Sequence, residues 1–377
     1  MGFNFPNSPT EGAIYSAASG QQYTFTNGVW LQTGFAYTPL QTAQPYNRVV
    51  NGAMQISQEN GTTGSGVGLY YAADQWYLSV NISGVTFIRQ QSGNDWIVNV
   101  VLGVAKPSLA AADICAIEQR IEGNRIADFN WGTAAAKQVI LRFDCIADDA
   151  GTYGIGIRNL PVTHSWAGTF TVPAGQWTTC TLVIPGPTVG AWAIDTATGL
   201  ILTFALATGS NYVAPSLGWQ SGNYVNAPGT INAVATTNQV RFRNVGLYLD
   251  PDATGRAPPW QTPDESEELR TCCRYWESSY DKGQAPGSSA GTNFRELYVT
   301  AGAGNYQFPG GTFTVRKRVV PAVTVYPPGG GAGGNMGGVV SGNKAVASDG
   351  ISETAFNLYY SGPADLCRWH YVANARM

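Results

Sequence analysis

The stretch IEQRIEGNRIADFNWGTAAAKQVILRFDC (117–145) opens the region that decides the fold, and QVRFRNVGLYLDPD (239–252) closes it. Between them lie short runs rich in β-branched and aromatic residues: GTYGIGIRN (151–159), WAGTFTVPAG (166–175), WTTCTLVIPGP (177–187) and GLILTFALATGS (199–210). Each run is closed by Gly, Pro, Asn or Asp, and such a series predicts an antiparallel β-sandwich. Over residues 138–145, apolar positions alternate with mixed ones, which is typical of a strand with one apolar face.

The composition is that of a globular β protein with few charges. Of the 377 residues, 44% are hydrophobic and 12% aromatic, which is ample for packed cores and unlike a disordered chain. Charged residues make up 12%, about half the usual share, and there are 46 glycines. This balance favours an extracellular-type or virion protein over a cytosolic enzyme.

Charge and hydropathy also limit the classes of partner that the sequence predicts. The net charge of −3 gives no basic stripe, so we expect no nucleic-acid partner. No apolar run is long enough to span a bilayer, and residues 1–12 lack the features of a secretory signal. We therefore expect no membrane insertion and a chain that stays soluble in the cytoplasm where it is made.

Changes in pattern divide the chain into four parts, consistent with a length of two or three domains. Residues 1–40 are predicted to form a small hairpin unit, with Asn27-Gly28 as a tight turn. Residues 47–258 are predicted to form a central jelly-roll-like antiparallel β-sandwich, similar in kind to a carbohydrate-binding module. One short helix follows over residues 262–282, and residues 290–377 are predicted to form a small C-terminal β-sandwich. The predicted fold class is therefore all-β.

The helix is predicted from TPDESEELRTCCRYWESSY (262–280), where the apolar period changes. Thr262 is the expected cap, Pro263 the first helical residue, and Glu265 completes a capping box. The six cysteines show no metal or redox spacing, so we expect small buried apolar residues.

Motifs in this order are similar to those of a known family. NRVVNGAMQISQENG (47–61), VRFRNVGLYLDP (240–251) and EELRTCCRYW (267–276) resemble segments of tail-fibre and receptor-binding structural proteins of tailed bacteriophages and prophages. The resemblance implies a homotrimer on a virion tail appendage, made in the host cytoplasm. It implies further that residues 1–40 attach the chain to tail or baseplate proteins, and that the rest contacts the host surface.

Enzyme chemistry has little support in the sequence. The only two histidines are His164, expected to begin a loop, and His370, expected to be a hydrogen-bonded strand residue. Glu118 and Glu122 would share a strand face with Arg120 between them, and the simplest interpretation is a solvated, ion-paired face. We therefore predict no catalytic residues and no cofactor.

Two acidic stretches have the composition of turns. Asp148-Asp149 is expected to form a hairpin turn. Asp250, Asp252 and Gly255 have the spacing of a calcium loop but lack its other acidic ligands, so a plain turn is favoured and no metal is predicted.

The predicted glycan-binding residues are aromatic. Tyr212, Trp219 and Tyr224 stand in the polar, Gly-rich loop GSNYVAPSLGWQSGNYVNAPG (209–229), and Trp192 stands in VGAWAIDTATG (189–199). Aromatic faces beside amide and hydroxyl groups are the chemistry that binds sugars. The alternative is that these rings pack the sandwich edge or a subunit interface.

A basic triplet, Arg316-Lys317-Arg318, follows a strand predicted over residues 311–315 that continues past it. It could meet anionic lipopolysaccharide, but a solvated strand face is the simpler interpretation.

Three functions stay open at this point. The first is a non-enzymatic fibre that binds a host-surface glycan. The second is a polysaccharide depolymerase that uses carboxylates such as Glu118, Glu122 or Asp144. The third is a purely architectural head or collar fibre.

Overall fold

The structure is a computed structural model that describes residues 5–16, 21–35, 46–66, 70–299 and 305–377. The chain forms two compact units, residues 1–46 and 47–377. The finer division predicted within the second unit stays a prediction.

The first unit contains a three-stranded antiparallel sheet in the order β1-β2-β3, formed by Ile14–Ser16, Gln21–Thr26 and Val29–Phe35. Asn27 and Gly28 join β2 to β3 with φ of 51° and 80°, the left-handed pair that a two-residue hairpin turn requires. The predicted tight turn is therefore confirmed.

The second unit begins with two antiparallel sheets that face each other. The seven-stranded sheet has the order β14-β11-β10-β13-β8-β5-β4, and the five-stranded sheet has the order β12-β9-β15-β7-β6. The strands are β4 Tyr70–Ala73, β5 Trp76–Val80, β6 Val85–Ser92, β7 Asp95–Leu102, β8 Ile114–Glu122, β9 Val139–Ala147, β10 Gly151–Arg158, β11 His164–Val172, β12 Thr178–Ile184, β13 Thr198–Thr208, β14 Gly218–Ser221 and β15 Asn238–Leu249. This arrangement confirms the predicted jelly-roll-like sandwich.

The core of the sandwich is aromatic at its centre. The ring centroid of Phe143 on β9 lies 4.9 Å from that of Phe204 on β13, and Phe204 lies 4.6 Å from Phe242 on β15. All three side chains are buried, and they tie the five-stranded sheet to the seven-stranded one. Burial of such rings is the main favourable term in folding.

Two local predictions here were wrong. Asp148-Asp149 does not close a hairpin, because β9 pairs with β12 and β15 while β10 pairs with β11 and β13 in the other sheet. The two residues instead connect the sheets. His164 begins a strand, β11, and not a loop, since it pairs opposite Ser221 of β14.

The single α-helix among the described residues, α1, spans Glu265–Cys273 and differs from the prediction at both ends. Its N-cap is Asp264, not Thr262, because the Asp264 carboxylate accepts hydrogen bonds from the N–H groups of Ser266 and Glu267. The helix stops short of residue 282 because residues 276–278 form a strand.

The remaining strands build the C-terminal part, which is all-β as predicted. One sheet has the path β16-β24-β20-β21, with β17 and β19 also pairing with β24, and a second has the order β18-β23-β22. The strands are β16 Trp276–Ser278, β17 Arg295–Val299, β18 Asn305–Thr312, β19 Ala322–Tyr326, β20 Asn335–Gly338, β21 Gly342–Ala345, β22 Ala347–Asp349, β23 Ala355–Ser361 and β24 Asp365–Asn374. Phe308, Phe356 and Trp369 lie in the core between them.

The basic triplet does not form the solvated strand face that was predicted. The preceding strand, β18, ends at Thr312, and Arg316, Lys317 and Arg318 follow it in irregular backbone. Lys317 is fully buried: its Nζ donates to the carbonyl of Cys273 and to Glu277 Oε2. The buried carboxylate of Glu277 therefore compensates the charge of Lys317 inside the protein.

Asp365, at the start of β24, is held by donors. Burial raises the pKa of its carboxyl, but the N–H groups of Val340 and Ser341, the Ser341 hydroxyl and Lys344 outweigh that effect. The pKa therefore lies well below the ordinary value of 3.8.

All six cysteines are buried, as predicted, and the structure shows all six as free thiols. Within the described part of the chain, no helix is long and apolar enough to cross a membrane.

Candidate functional site

Three tryptophans meet beside β14, the edge strand of the seven-stranded sheet. The ring centroids of Trp192 and Trp219 are 5.5 Å apart, and those of Trp131 lie 4.9 Å from Trp192 and 5.5 Å from Trp219. The planes are close to perpendicular in each pair, the edge-to-face arrangement that aromatic quadrupoles favour. Trp131 is buried, while Trp192 and Trp219 are half-buried. We call Trp131, Trp192 and Trp219 the tryptophan cluster.

Backbone carbonyls fix all three rings. The indole Nε1 of Trp219 donates to the carbonyl of Pro185 at 2.7 Å, that of Trp192 to Val189 at 3.2 Å, and that of Trp131 to Lys137 at 2.9 Å. Since each polar ring atom already has a partner, the accessible parts of the two outer rings offer apolar surface.

The elements that carry the outer rings are an edge strand and a loop. Trp219 lies on β14, the edge of the seven-stranded sheet, directly opposite Trp166 of β11. Trp192 lies in the loop after β12, where Gly190 has a φ of +95°. A Cβ at Gly190 would lie 3.1 Å from His164 Cγ and 3.1 Å from Trp192 Nε1, so glycine lets the loop approach both rings.

Polar and apolar groups lie side by side around the cluster. Thr163 and Ser221 are exposed. His164 follows Thr163 in the sequence and pairs directly opposite Ser221 of β14. Val189 and Ile194, in the same loop as Trp192, are 58% and 64% exposed. This mixture of apolar surface and hydroxyl groups suits a ligand with both apolar and hydroxyl faces.

The two predicted tyrosines lie apart from the cluster. Tyr224 packs against Ala167, Ala214 and Ala227, and its N–H donates to Ser165 Oγ at 2.9 Å. The carbonyl of Tyr212 accepts from the N–H groups of residues 225 and 226. The structure thus brings Trp192 and Trp219 together, but places neither tyrosine ring against them.

Sequence reasoning missed Trp131. A signal was present in FNWGTAAAK (129–137), an aromatic residue flanked by Asn130 and Gly132, both of which adopt positive φ. The same argument that selected Trp192 applies to it.

The carboxylates considered for catalysis are occupied. Glu118 accepts from Arg158, from Thr203 Oγ1 at 3.1 Å and from Tyr77 OH at 2.7 Å. Burial, and then the nearby Glu118 charge, raises the pKa of Tyr77, so this phenol stays protonated and donates. The prediction of a solvated face was wrong for Glu118, because Arg158 supplies the cation inside the protein.

Glu122 and Asp144 are bound in the same way. Glu122 is buried and accepts from Arg274 at 2.7 and 2.9 Å and from Tyr275 OH at 2.9 Å, so it is not solvated either. Asp144 accepts from Thr179 Oγ1 at 2.7 Å and from Asn244 Nδ2 at 2.8 Å.

The remaining candidates have structural roles. His370 is buried on β24, with Ser279 Oγ 3.0 Å from Nδ1 and the carbonyl of Ala290 3.3 Å from Nε2, as predicted. Burial lowers its pKa. Asp250 accepts from the N–H groups of Thr254 and Gly255 in a turn. Over the residues described here, no cluster of acidic, His or Cys side chains could hold a metal ion.

No protein-family model matches the chain, and no curated protein matches it. Solved structures are similar to part of it. A CBM4 module is 15% identical, covering 53% of this chain and 98% of its own, with a TM-score of 0.30. TmCBM61, in complex with beta-1,4-galactotriose, is 9% identical over 54% of this chain and 99% of its own, with a TM-score of 0.27.

The enzymatically active domain of tailspike protein 4 of bacteriophage CBA120 is 13% identical, with a TM-score of 0.31. The match covers 54% of this chain and 21% of the tailspike chain. Scores this low carry no argument about function, which has to rest on the residues of this chain.

Proposed function

We propose that the chain is a non-enzymatic structural protein of a bacteriophage virion, a tail fibre or spike, that binds a host-surface glycan. One observation carries the binding proposal: Trp192 and Trp219 lie side by side at the protein surface with their N–H groups already bonded. The virion role comes from the resemblance of the sequence motifs.

The geometry of the tryptophan cluster fits a sugar ring. Aromatic faces bind the apolar C–H face of a sugar, while hydroxyl groups such as those of Thr163 and Ser221 can bond its rim. Because backbone carbonyls hold the rings, little side-chain freedom is lost on binding. The site is therefore pre-organised.

The state of the carboxylates supports binding without cleavage. Glycoside hydrolysis needs two carboxyl groups about 5–9 Å apart, one of them protonated and free to donate. Glu118 and Glu122 each accept hydrogen bonds from an arginine and a tyrosine hydroxyl, so structural partners already occupy both carboxyl groups. We expect purified protein to release no reducing ends from host capsule or lipopolysaccharide, and measurable release would contradict this part.

Binding is tested by titrating the protein with oligosaccharides from the host surface in a calorimeter. Trp192→Ala and Trp219→Ala should each weaken binding at least about tenfold, a loss of about 1.4 kcal/mol. Tyr298→Ala is the matched control, since Tyr298 is an exposed aromatic residue, 62% accessible, on β17 in the C-terminal part of the chain. If both tryptophan variants bind as tightly as the control, the site is wrong.

Two further parts of the proposal need their own measurements. Light scattering should give a homotrimer, and a monomer at micromolar concentration would contradict it. Excess free protein should slow adsorption of the phage to its host. If adsorption is unchanged, the architectural alternative of a head or collar fibre replaces receptor binding.

A further inference from the structure

A cavity lies between strands β6 and β7 and the loops 57–63 and 282–283, and none of its lining residues belongs to the tryptophan cluster. Its volume is about 360 Å³ and its lining includes Ser57, Thr62, Thr63, Arg89, Trp96 and Lys282. Two of these side chains are cationic, and no carboxylate is among the described residues that line the cavity, although Lys282 forms an ion pair with Glu265. The two loops meet where the N–H of Gly283 donates to the carbonyl of Gln58 at 3.1 Å.

Arg89 is the unusual group in this cavity. Its guanidinium stacks on Trp96, 3.5 Å from the ring centroid, and the residue is 3% exposed. Nε donates to the carbonyl of Met54 at 2.7 Å, and Nη2 donates to that of Gln55. Among the described residues, no carboxylate forms a salt bridge with Arg89, and no oxygen accepts from Nη1. A buried guanidinium that keeps an unbonded N–H group is costly, so an acceptor from outside would be favoured.

Burial lowers the pKa of Arg89 to about 10, against the charges of Asp74 and Glu265, which raise it. The guanidinium is therefore charged at neutral pH. Both carboxylates act on Arg89 from a distance: Asp74 is hydrogen-bonded to Gln58 and Glu265 to Lys282, and neither accepts a hydrogen bond from the guanidinium.

Ser57 is a second buried group in the cavity with an unused polar atom. The residue is 1% exposed and lines the same cavity, yet its hydroxyl oxygen is bonded to no protein group in the described part of the chain. A buried hydroxyl left unbonded costs about 1–3 kcal/mol. Lys282 and the Thr62 and Thr63 side chains add further donors at the rim.

We propose that this cavity binds one oxyanion, either the carboxylate, sulfate or phosphate group of an acidic sugar or the free inorganic ion. Arg89 Nη1, Ser57 Oγ and Lys282 Nζ would donate to it, and the Trp96 ring would hold the guanidinium in place. The inference does not depend on glycan binding at the tryptophan cluster.

The test titrates the full chain with sodium sulfate, sodium phosphate, glucuronate and neutral glucose at equal ionic strength, by calorimetry and by thermal unfolding. We expect the anions to bind and raise the unfolding temperature, and glucose to do neither. Tighter binding of glucuronate than of the inorganic ions would point to an acidic sugar, and the reverse to a free ion.

The variants are chosen to fold. Arg89→Met would leave two backbone carbonyls unbonded, so Ser57→Ala and Lys282→Gln are used, each expected to weaken anion binding at least about fivefold. Lys106→Gln is the matched control, since it also removes one charge from a surface ion pair, with Asp113. The proposal is overturned if no anion binds beyond chloride, or if all three variants bind alike. Variants of Trp192 and Trp219 should keep anion binding whether or not they bind glycan.

Discussion

Replacing Lys317 by methionine should destabilise the protein strongly, because it removes the cation of a buried pair. Lys317 Nζ lies 2.5 Å from Glu277 Oε2, and the two residues are 0% and 4% exposed. Methionine keeps the length and apolar body of the side chain, so no large cavity forms. The loss is therefore mainly electrostatic.

The magnitude follows from what remains around Glu277. Removing one partner of a buried ion pair costs about 3–5 kcal/mol. The low end applies here, because Glu277 keeps hydrogen bonds from the Thr314 N–H at 3.1 Å and from Tyr371 OH at 3.0 Å. The carbonyl of Cys273 also loses its Lys317 donor, which adds about 1 kcal/mol. We expect a loss of about 4 kcal/mol in the free energy of unfolding.

Urea unfolding followed by tryptophan fluorescence measures this, with Arg316→Met as the control. Arg316 belongs to the same basic triplet but its side chain is 74% exposed beside Glu353, so its loss should cost less than about 1 kcal/mol. Adding Glu277→Gln to Lys317→Met removes the stranded charge and should recover about 2 kcal/mol. The reasoning is refuted if Lys317→Met costs no more than the control, or if the double variant is no more stable than the single one.

Three further outcomes follow from the contacts described above. Asp264→Ala should lower the free energy of unfolding by about 1 kcal/mol while Thr262→Ala leaves it unchanged, as urea unfolding will show; equal effects would contradict the observed cap. The pKa of Asp365 in the folded chain lies below its unfolded value of 3.8. The contribution of this carboxylate to stability is therefore complete above pH 3.8 and is lost as the pH falls through the folded pKa. Acid unfolding of Asp365→Asn should therefore lose less stability below pH 3.8 than the parent chain does, and a parallel loss would argue against the donors around this carboxyl. Burial raises the pKa of Cys115 and Cys273 to about 12. A thiol reagent at about pH 8 should therefore label neither cysteine in the folded chain and both in urea, and fast labelling without urea would contradict this.

The fold class was predictable because strand periodicity and turn residues are local signals. The alternation over residues 138–145 and the Asn27-Gly28 turn needed no knowledge of partners. Pairing is not local, and so the position of Asp148-Asp149 between two sheets could not be predicted. The strand predicted over residues 311–315 lies instead at 305–312, because the chain accommodates Pro309 and the glycines after it with a register shift against β23.

The candidate site was partly predictable for the same reason. Aromatic residues in polar loops can be found in a sequence, which selected Trp192 and Trp219. Which rings meet depends on the edge pairing of β14 with β11, so the separation of Tyr224 from them could not be predicted. The burial of Lys317 could not be predicted for a similar reason, since its acidic partner, Glu277, lies 40 residues away in sequence.

Strand β13 also has a consequence for how the protein is made. All eleven of its residues are buried, and TGLILTFALAT contains no charge and no proline. Its neighbours are β8, far behind it on the nascent chain, and β10. On the ribosome, the edge of β8 that pairs with β13 therefore stays uncovered until β13 emerges, while β5 can already cover the other edge. Strand β13 itself has the character of segments that stack into cross-β aggregates. Slow synthesis at low temperature should favour soluble protein over inclusion bodies.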